Sequence, residues 1–239
     1  MRSDNLDLAV YDTDKIGNRY LERYDPILEP WVNKKVKLLE IGIDKGGSLL
    51  LWRDYFSQGT IVGIDIKPPK DFPPEKRIHL FKGNQGDTEF LSEVANKIAP
   101  EGFDIIIDDA SHIGELTKKT FWHLFDNHLK FSGLYIIEDW GTGYWGDWPD
   151  GKTFEAKRNI RASVWSKILC KLSYTRRIPM KITYHNHSYG MVGFIKELVD
   201  EQGAADVTRA RWKGKPARQS KFASMVITPP IVFIRKSSK

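Results

Sequence analysis

The sequence predicts an α/β protein: a doubly wound, mostly parallel sheet with an antiparallel hairpin at one edge. Two apolar runs carry most of that expectation, because each ends in paired acids. Phe103-Asp104-Ile105-Ile106-Ile107 leads into Asp108-Asp109-Ala110-Ser111-His112, and Gly133-Leu134-Tyr135-Ile136-Ile137 leads into Glu138-Asp139-Trp140. Continuous apolar runs of this length read as buried parallel strands. The second observation is the alternation of such runs with helix-like stretches over residues 37–138. The third is a glycine-rich turn, Gly42-Ile43-Asp44-Lys45-Gly46-Gly47, between the first strand and the first long helix.

The elements follow in order. Residues 1–35 are mixed and studded with Tyr11, Tyr20, Tyr24 and Trp31, and read as short helices and loop covering one end of the sheet. Strands are expected at 37–41, 60–65, 77–82, 103–108 and 133–138. Ser48 is a plausible N-cap for a helix ending at Tyr55. Four prolines, Pro68, Pro69, Pro73 and Pro74, forbid regular structure after the second strand. Asp87 or Thr88 caps a helix over 88–98, and another spans 115–129. A further helix is expected over 154–172. Residues 181–185 and 189–195 read as two strands of a hairpin. Residues 200–222 look loose, with one more strand within 225–235. The chain thus divides into an N-terminal cap (1–35), a main α/β domain (36–199) and a basic C-terminal extension (200–239).

Composition sets broad bounds. The chain has 239 residues, 41% hydrophobic and 28% charged, which suits one ordinary globular domain with an extension. The lone Cys170 cannot form an internal disulfide and fits a cytoplasmic protein, as does an N-terminus without an apolar leader. No run reaches the roughly 18 apolar residues of a membrane span. The net charge of +6 is concentrated in Arg209, Arg211, Lys213, Lys215, Arg218 and Lys221. That cluster reads as a solvated loop, with a nucleic-acid patch as the alternative.

Chemistry concentrates at the carboxyl ends of the strands, where open α/β sheets bind ligands. Neighbouring strands lie about 4.8 Å apart. Asp108, Asp109, Glu138 and Asp139 would then crowd one rim with His112. Like charges that close require a cation, so a hard divalent metal with a base beside it is expected. At the turn, a dinucleotide fingerprint would need glycine where Asp44 stands, which argues against a pyrophosphate. A ligand carrying an amino-acid moiety fits better, with Glu40 holding its amino group and Gly42, Gly46 and Ser48 shaping the turn. Asp65, ending the second strand, suits a ribose diol, with a turn cap as the alternative. Gln85 and Asp87 lie where an adenine edge would sit, or serve as caps. Asp108 is read as supporting the site.

The order Glu-x-Gly, Ile-Asp, Asp-Asp-x-Ser-His and Ile-Glu-Asp resembles class I S-adenosylmethionine-dependent methyltransferases of Rossmann-like fold. More narrowly, it resembles the metal-dependent sugar O-methyltransferases of the macrocin and mycinamicin type. The resemblance covers about residues 10–197, including Tyr11-Asp12-Thr13-Asp14-Lys15 and Tyr20. It implies S-adenosylmethionine as donor, with Tyr20 and Asp108 in the donor site. It also implies Mg²⁺ on Asp109, Glu138 and Asp139, and His112 as general base. The implied reaction is methylation of a hydroxyl on a sugar, glycosylated natural product or polyol, as in antibiotic biosynthesis. Ala110 replaces the family's usual glycine and fits unless that backbone needs a positive φ. The aromatic tract from Trp140 to Trp148 suits the face of a sugar. His185 and His187 read as hairpin-turn or acceptor-pocket residues, not metal ligands, and the N-terminal aromatics suit an interface between copies of the chain.

Overall fold

The structure is a computed structural model and describes residues 1–153, 158–159, 183–184, 189–210 and 214–238. The expected strands form: β1 (Lys37–Ile41), β2 (Thr60–Asp65), β3 (Ile78–Lys82), β4 (Phe103–Asp108) and β5 (Leu129–Glu138). They pair in parallel in the order β3-β2-β1-β4-β5. The helices between them are α3 (Gly47–Tyr55), α4 (Thr88–Ile98) and α5 (Gly114–Asn127). Two short helices precede the sheet, α1 (Asp14–Gly17) and α2 (Leu21–Leu28). Asp87 caps α4 by accepting from the Phe90 amide at 3.1 Å.

Strand alternation sends successive side chains to opposite faces, and both faces are covered. Leu39, Ile41, Ile106, Tyr135 and Ile137 pack with Leu91, Val94, Phe121 and Leu124 of α4 and α5. Leu38, Ile105, Ile107, Leu134 and Ile136 pack with Tyr24, Leu28, Leu49 and Trp52 of α2 and α3. This two-sided burial explains why the strands read as unbroken apolar runs.

The edge hairpin exists, but not where the sequence placed it. Residues 189–195, expected as a strand, begin helix α6 (Gly190–Gln202), which is followed by the short α7 (Ala204–Val207). Met191, Val192, Phe194, Ile195 and Leu198 recur at helical spacing and are buried. Helix α6 packs closely on α5: a Cβ on Gly114 would lie 2.0 Å from the Gly190 carbonyl carbon. In the expected 154–172 helix, Arg158–Asn159 is instead a two-residue strand, β6, paired antiparallel with β7 (Thr183–Tyr184). The rest of that span lies outside the described residues, as do His185 and His187.

The true hairpin is β8 (Phe222–Ile227) and β9 (Ile231–Lys236), and β9 lies antiparallel beside β5. The segment set apart as a C-terminal extension therefore completes a seven-stranded sheet of order β3-β2-β1-β4-β5-β9-β8. Ile231, Val232, Phe233 and Ile234 are all buried there, because without β9 the apolar β5 would be left as an edge. Two cations of the basic cluster are held by acids: Arg218 Nη1 lies 2.8 Å from Glu201 and Lys221 Nζ 2.7 Å from Asp126. Such pairing opposes a free phosphate-binding patch.

One polar contact makes stability depend on pH. The Ser92 hydroxyl lies 2.8 Å from His123 Nε2 and 2.9 Å from His128 Nε2. Burial lowers both imidazole pKa values below the usual 6.5, and a neighbouring charge adds to it: Lys119 for His123, His123 for His128. The unfolded chain then takes up protons first as pH falls. Their contribution is present above the unfolded pKa and is lost as pH falls through the folded values. Urea midpoints are expected to drop between about pH 7 and pH 5, and to drop less in His128→Gln. An identical pH slope in the variant would remove this pair as a cause.

Candidate active site

The sheet order reverses between β1 and β4, and a cleft of about 1000 Å³ opens there beyond the strand tips. Parallel register pairs Ile41 with Asp108 and Asp108 with Ile137. The next residues along, Gly42, Asp109 and Glu138, therefore stand side by side.

The β1–α3 turn forms one wall. Gly42 has φ +84°, and a Cβ there would lie 2.3 Å from the Asp109 carbonyl oxygen. Asp44 (φ 42°) and Gly46 (φ 84°) complete a left-handed turn. Asp65 lines the cleft and accepts the Ile43 amide at 3.0 Å and the Lys67 amide at 2.7 Å, one on each oxygen. It thus braces the turn, the second of the two sequence alternatives, from a position on the cleft wall. Ser48 and Gln85 also line the cleft. Asp87 does not: it is spent on capping α4. Asp108 is buried behind the wall, accepting from Gln85 and from the Tyr135 hydroxyl, each at 3.4 Å. Burial pushes its carboxyl up to about 7.

Beside the turn, Asp109, His112 and Asp139 also line the cleft. Ligand atoms from all three lie within 4.8 Å of one another. His112 Nε2 is 3.9 Å from Asp109 Oδ1, and its ring meets the Trp148 ring edge-on at 5.0 Å. Ser111 (φ 47°), His112 (φ 49°) and Asp139 (φ 51°) all adopt the left-handed conformation. Ala110 does not, so the methyl group that replaces the family's glycine meets no backbone penalty. Strain of this kind persists where the surroundings over-determine it, and here it gathers on one rim. Trp148 belongs to a loop pinned by Asp150, whose carboxylate accepts from the Gly114 and Met191 amides at 2.8 Å each.

Three expected site residues lie buried one layer behind the cleft lining, each bonded to a residue on it. Glu138, an expected metal ligand, is 1% exposed: its two oxygens accept from the Tyr24 hydroxyl and from Lys15 Nζ at 2.9 Å, and it lies with Asp109 and Glu40 at a spacing that could hold an ion. Glu40 was expected at the donor's amino group. It too is buried, accepting from Ser48 Oγ at 2.7 Å and Trp52 Nε1 at 3.2 Å. Burial raises both carboxyls, and the Lys15 charge opposes that rise. Tyr20, assigned to the donor, gives its hydroxyl hydrogen to Asp139 instead.

The residue that sequence reasoning missed is Lys15. Its ammonium lies 2.7 Å from Asp109 Oδ2, 2.9 Å from Glu138 Oε2 and 3.4 Å from Glu40 Oε1, in full burial. Burial alone would lower its pKa, but Asp109, Glu138 and Glu40 together hold it well above the usual value. A signal was available: clustered acids demand a cation, and the chain itself can supply one.

No family model matches the chain. Curated relatives do. It is 40% identical over 144 residues to mycinamicin VI 2''-O-methyltransferase of Micromonospora griseorubida, covering 56% of this chain and 35% of that protein. It is 36% identical over 237 residues to 8-demethyl-8-alpha-L-rhamnosyl tetracenomycin-C 2'-O-methyltransferase of Streptomyces olivaceus, covering 95% and 52%. Among solved structures it matches the MycE methyltransferase of the mycinamycin biosynthetic pathway, in complex with Mg, S-adenosylhomocysteine and mycinamycin VI. That match has a TM-score of 0.65 at 26% identity, over 98% of this chain and 56% of that one. The chain is related to the macrocin- and mycinamicin-type sugar O-methyltransferases and has the class I methyltransferase fold. It spans about half or less of the length of these curated relatives. A caffeoyl-CoA O-methyltransferase structure described as putative shares the fold at 15% identity and a TM-score of 0.54.

The donor set suits a hard cation. Asp109 and Asp139 offer carboxylate oxygens on the cleft wall, within reach of each other and of His112. The second group of acids, Glu40, Asp109 and Glu138, surrounds Lys15.

Proposed function

We propose that the chain carries out S-adenosylmethionine-dependent, Mg²⁺-dependent O-methylation of a hydroxyl on a sugar, glycosylated natural product or polyol. One observation carries this reading: Asp109, His112 and Asp139 converge in the same cleft that the Gly42–Gly46 turn borders. The relatives' activities, O-methylation of glycosylated natural products, support the acceptor class.

Each residue then has a task. The left-handed turn lets the donor approach the backbone, while Asp65 accepts from ribose hydroxyls and Gln85 meets the adenine edge. Asp109 and Asp139, with Glu138 at the end of β5, would hold the divalent ion, which would lower the pKa of an acceptor hydroxyl. His112, beside them, takes the hydroxyl proton as the oxygen attacks the methyl group. The ring of Trp148 steadies His112 and closes one side of the acceptor space. Much of the rate comes from holding oxygen, methyl and sulfur in line.

The test is methyl transfer to glycoside acceptors, followed with and without EDTA, alongside calorimetric titration with S-adenosylhomocysteine. Activity should vanish in EDTA and return with Mg²⁺. Full turnover in EDTA would exclude the metal-dependent reaction. Tight, salt-sensitive RNA binding with no donor binding would favour a nucleic-acid role instead.

A further inference from the structure

Two helix N-termini meet beside the cleft, and neither caps itself. The N-cap of α5 is Ile113 and that of α6 is Tyr189, and neither makes a side-chain cap bond. The first turn of a helix leaves backbone N–H groups without partners inside the helix. A carboxylate there satisfies them and answers the positive end of the dipole. One residue does this for both helices. Asp150 Oδ2 accepts from the Gly114 amide of α5 and the Met191 amide of α6, at 2.8 Å each.

The backbone is shaped to admit it. Gly190 stands at φ +61°, and a Cβ there would lie 2.6 Å from the Asp150 carboxyl carbon. The loop that carries Asp150 is closed on itself: a Cβ on Gly151 would lie 1.9 Å from the Trp145 carbonyl oxygen. The Trp148 and Lys152 amides donate to the Trp145 and Trp148 carbonyls at 3.0 Å each. A shift of Asp150 is thereby passed to Trp148.

The same anchor reaches the proposed base. His112 is two residues before Gly114, and Trp148 is two residues before Asp150. The bond from Gly114 to Asp150 therefore joins the two backbones beside the place where the His112 and Trp148 rings meet, edge-on at 5.0 Å. Both rings line the cleft, and Asp150 stands behind them.

The geometry points to Asp150 as a positioning residue: by capping α5 and α6 with one carboxylate oxygen, it sets where the His112 ring stands against Trp148. The inference rests on the methyl-transfer reading above, in which His112 is the base. Asp150 acts through that ring and touches neither donor nor acceptor.

The experiment is a double-mutant cycle on turnover, with S-adenosylhomocysteine calorimetry on each preparation. Asp150→Ala is expected to lower kcat about 100-fold, the cost of a misplacement of about 1 Å, while donor affinity stays at the parent value. Asp150→Asn, which keeps an oxygen for the two amides, should recover most of that rate. In a His112→Ala background, Asp150→Ala should cost less than about 3-fold more, because residues that act as a unit are not additive. A general loosening of the fold would instead weaken donor binding and add its full cost to that of His112→Ala. Should Asp150→Ala fail to fold, Asp150→Glu keeps both oxygens but lengthens the arm by one methylene, and a fall in kcat with intact donor binding is again expected. Full additivity in the cycle, Asp150→Asn as slow as Asp150→Ala, or Asp150→Glu at the parent rate overturns the role. His112→Ala at the parent rate overturns the assignment of the base itself, and that single variant tells the two failures apart.

Discussion

Replacing His112 by alanine is expected to lower turnover by about 10²–10⁴-fold, the usual contribution of a positioned general base. Donor affinity should stay near the parent value. The separation follows from geometry. His112 stands on the acid rim beside Asp109 and Trp148, while the donor's expected contacts are the Gly42–Gly46 turn and Asp65. The left-handed backbone at Ser111 and His112 aims the ring from the loop, so the side chain is dispensable to the core. Turnover and S-adenosylhomocysteine calorimetry on the same preparation give both numbers. An unchanged rate would remove His112 from the chemistry. A parallel loss of donor binding would show that the residue shapes the cleft instead.

Gly42→Ala should be strongly damaging, although it replaces only a hydrogen by a methyl group. Two penalties coincide at this position. The backbone sits at φ +84°, and the new Cβ would lie 2.3 Å from the Asp109 carbonyl oxygen. That oxygen is backbone, at the tip of a central strand, and cannot rotate away. Strained φ and overpacking together predict a loss of about 2–6 kcal/mol. This is a large share of the stability of a typical domain, about 5–15 kcal/mol. The relief available is for the turn and Asp109 to move apart, which would spread the two sides of the site. Urea denaturation should show the destabilisation, and calorimetry a weakened donor. If both stay at parent values, the close approach of turn and strand tip has no energetic weight.

The parallel half of the sheet was legible because each of its strands is buried on both faces. Ile105, Ile106 and Ile107 face opposite helical layers in turn, and all three must be apolar. The hairpin was misplaced because short apolar runs are ambiguous. Met191 to Ile195 reads equally as strand or helix until Leu198 extends the period. The pairing of β9 with β5 depends on contacts about a hundred residues apart in the chain. No local pattern reports such a contact.

The candidate site divides in the same way. Residue type and position at strand ends picked out Asp109, His112 and Asp139, and the structure gathers them. They did not reveal direction. Glu138 and Asp139 are adjacent in sequence, yet one is turned inward to Lys15 and Tyr24 while the other lines the cleft. Tyr20, expected at the donor, bonds Asp139 through its hydroxyl, a contact that sequence position does not report.

The amino-acid order alone determined that acids would meet at the tips of a parallel sheet beside a glycine turn. Strand burial, helix caps and glycine placement are local properties, and they leave local marks. Only the tertiary structure decided which cation answers those acids first. Lys15 lies 94 residues before Asp109 and 123 before Glu138, and electrostatic attraction acts through space, not along the chain.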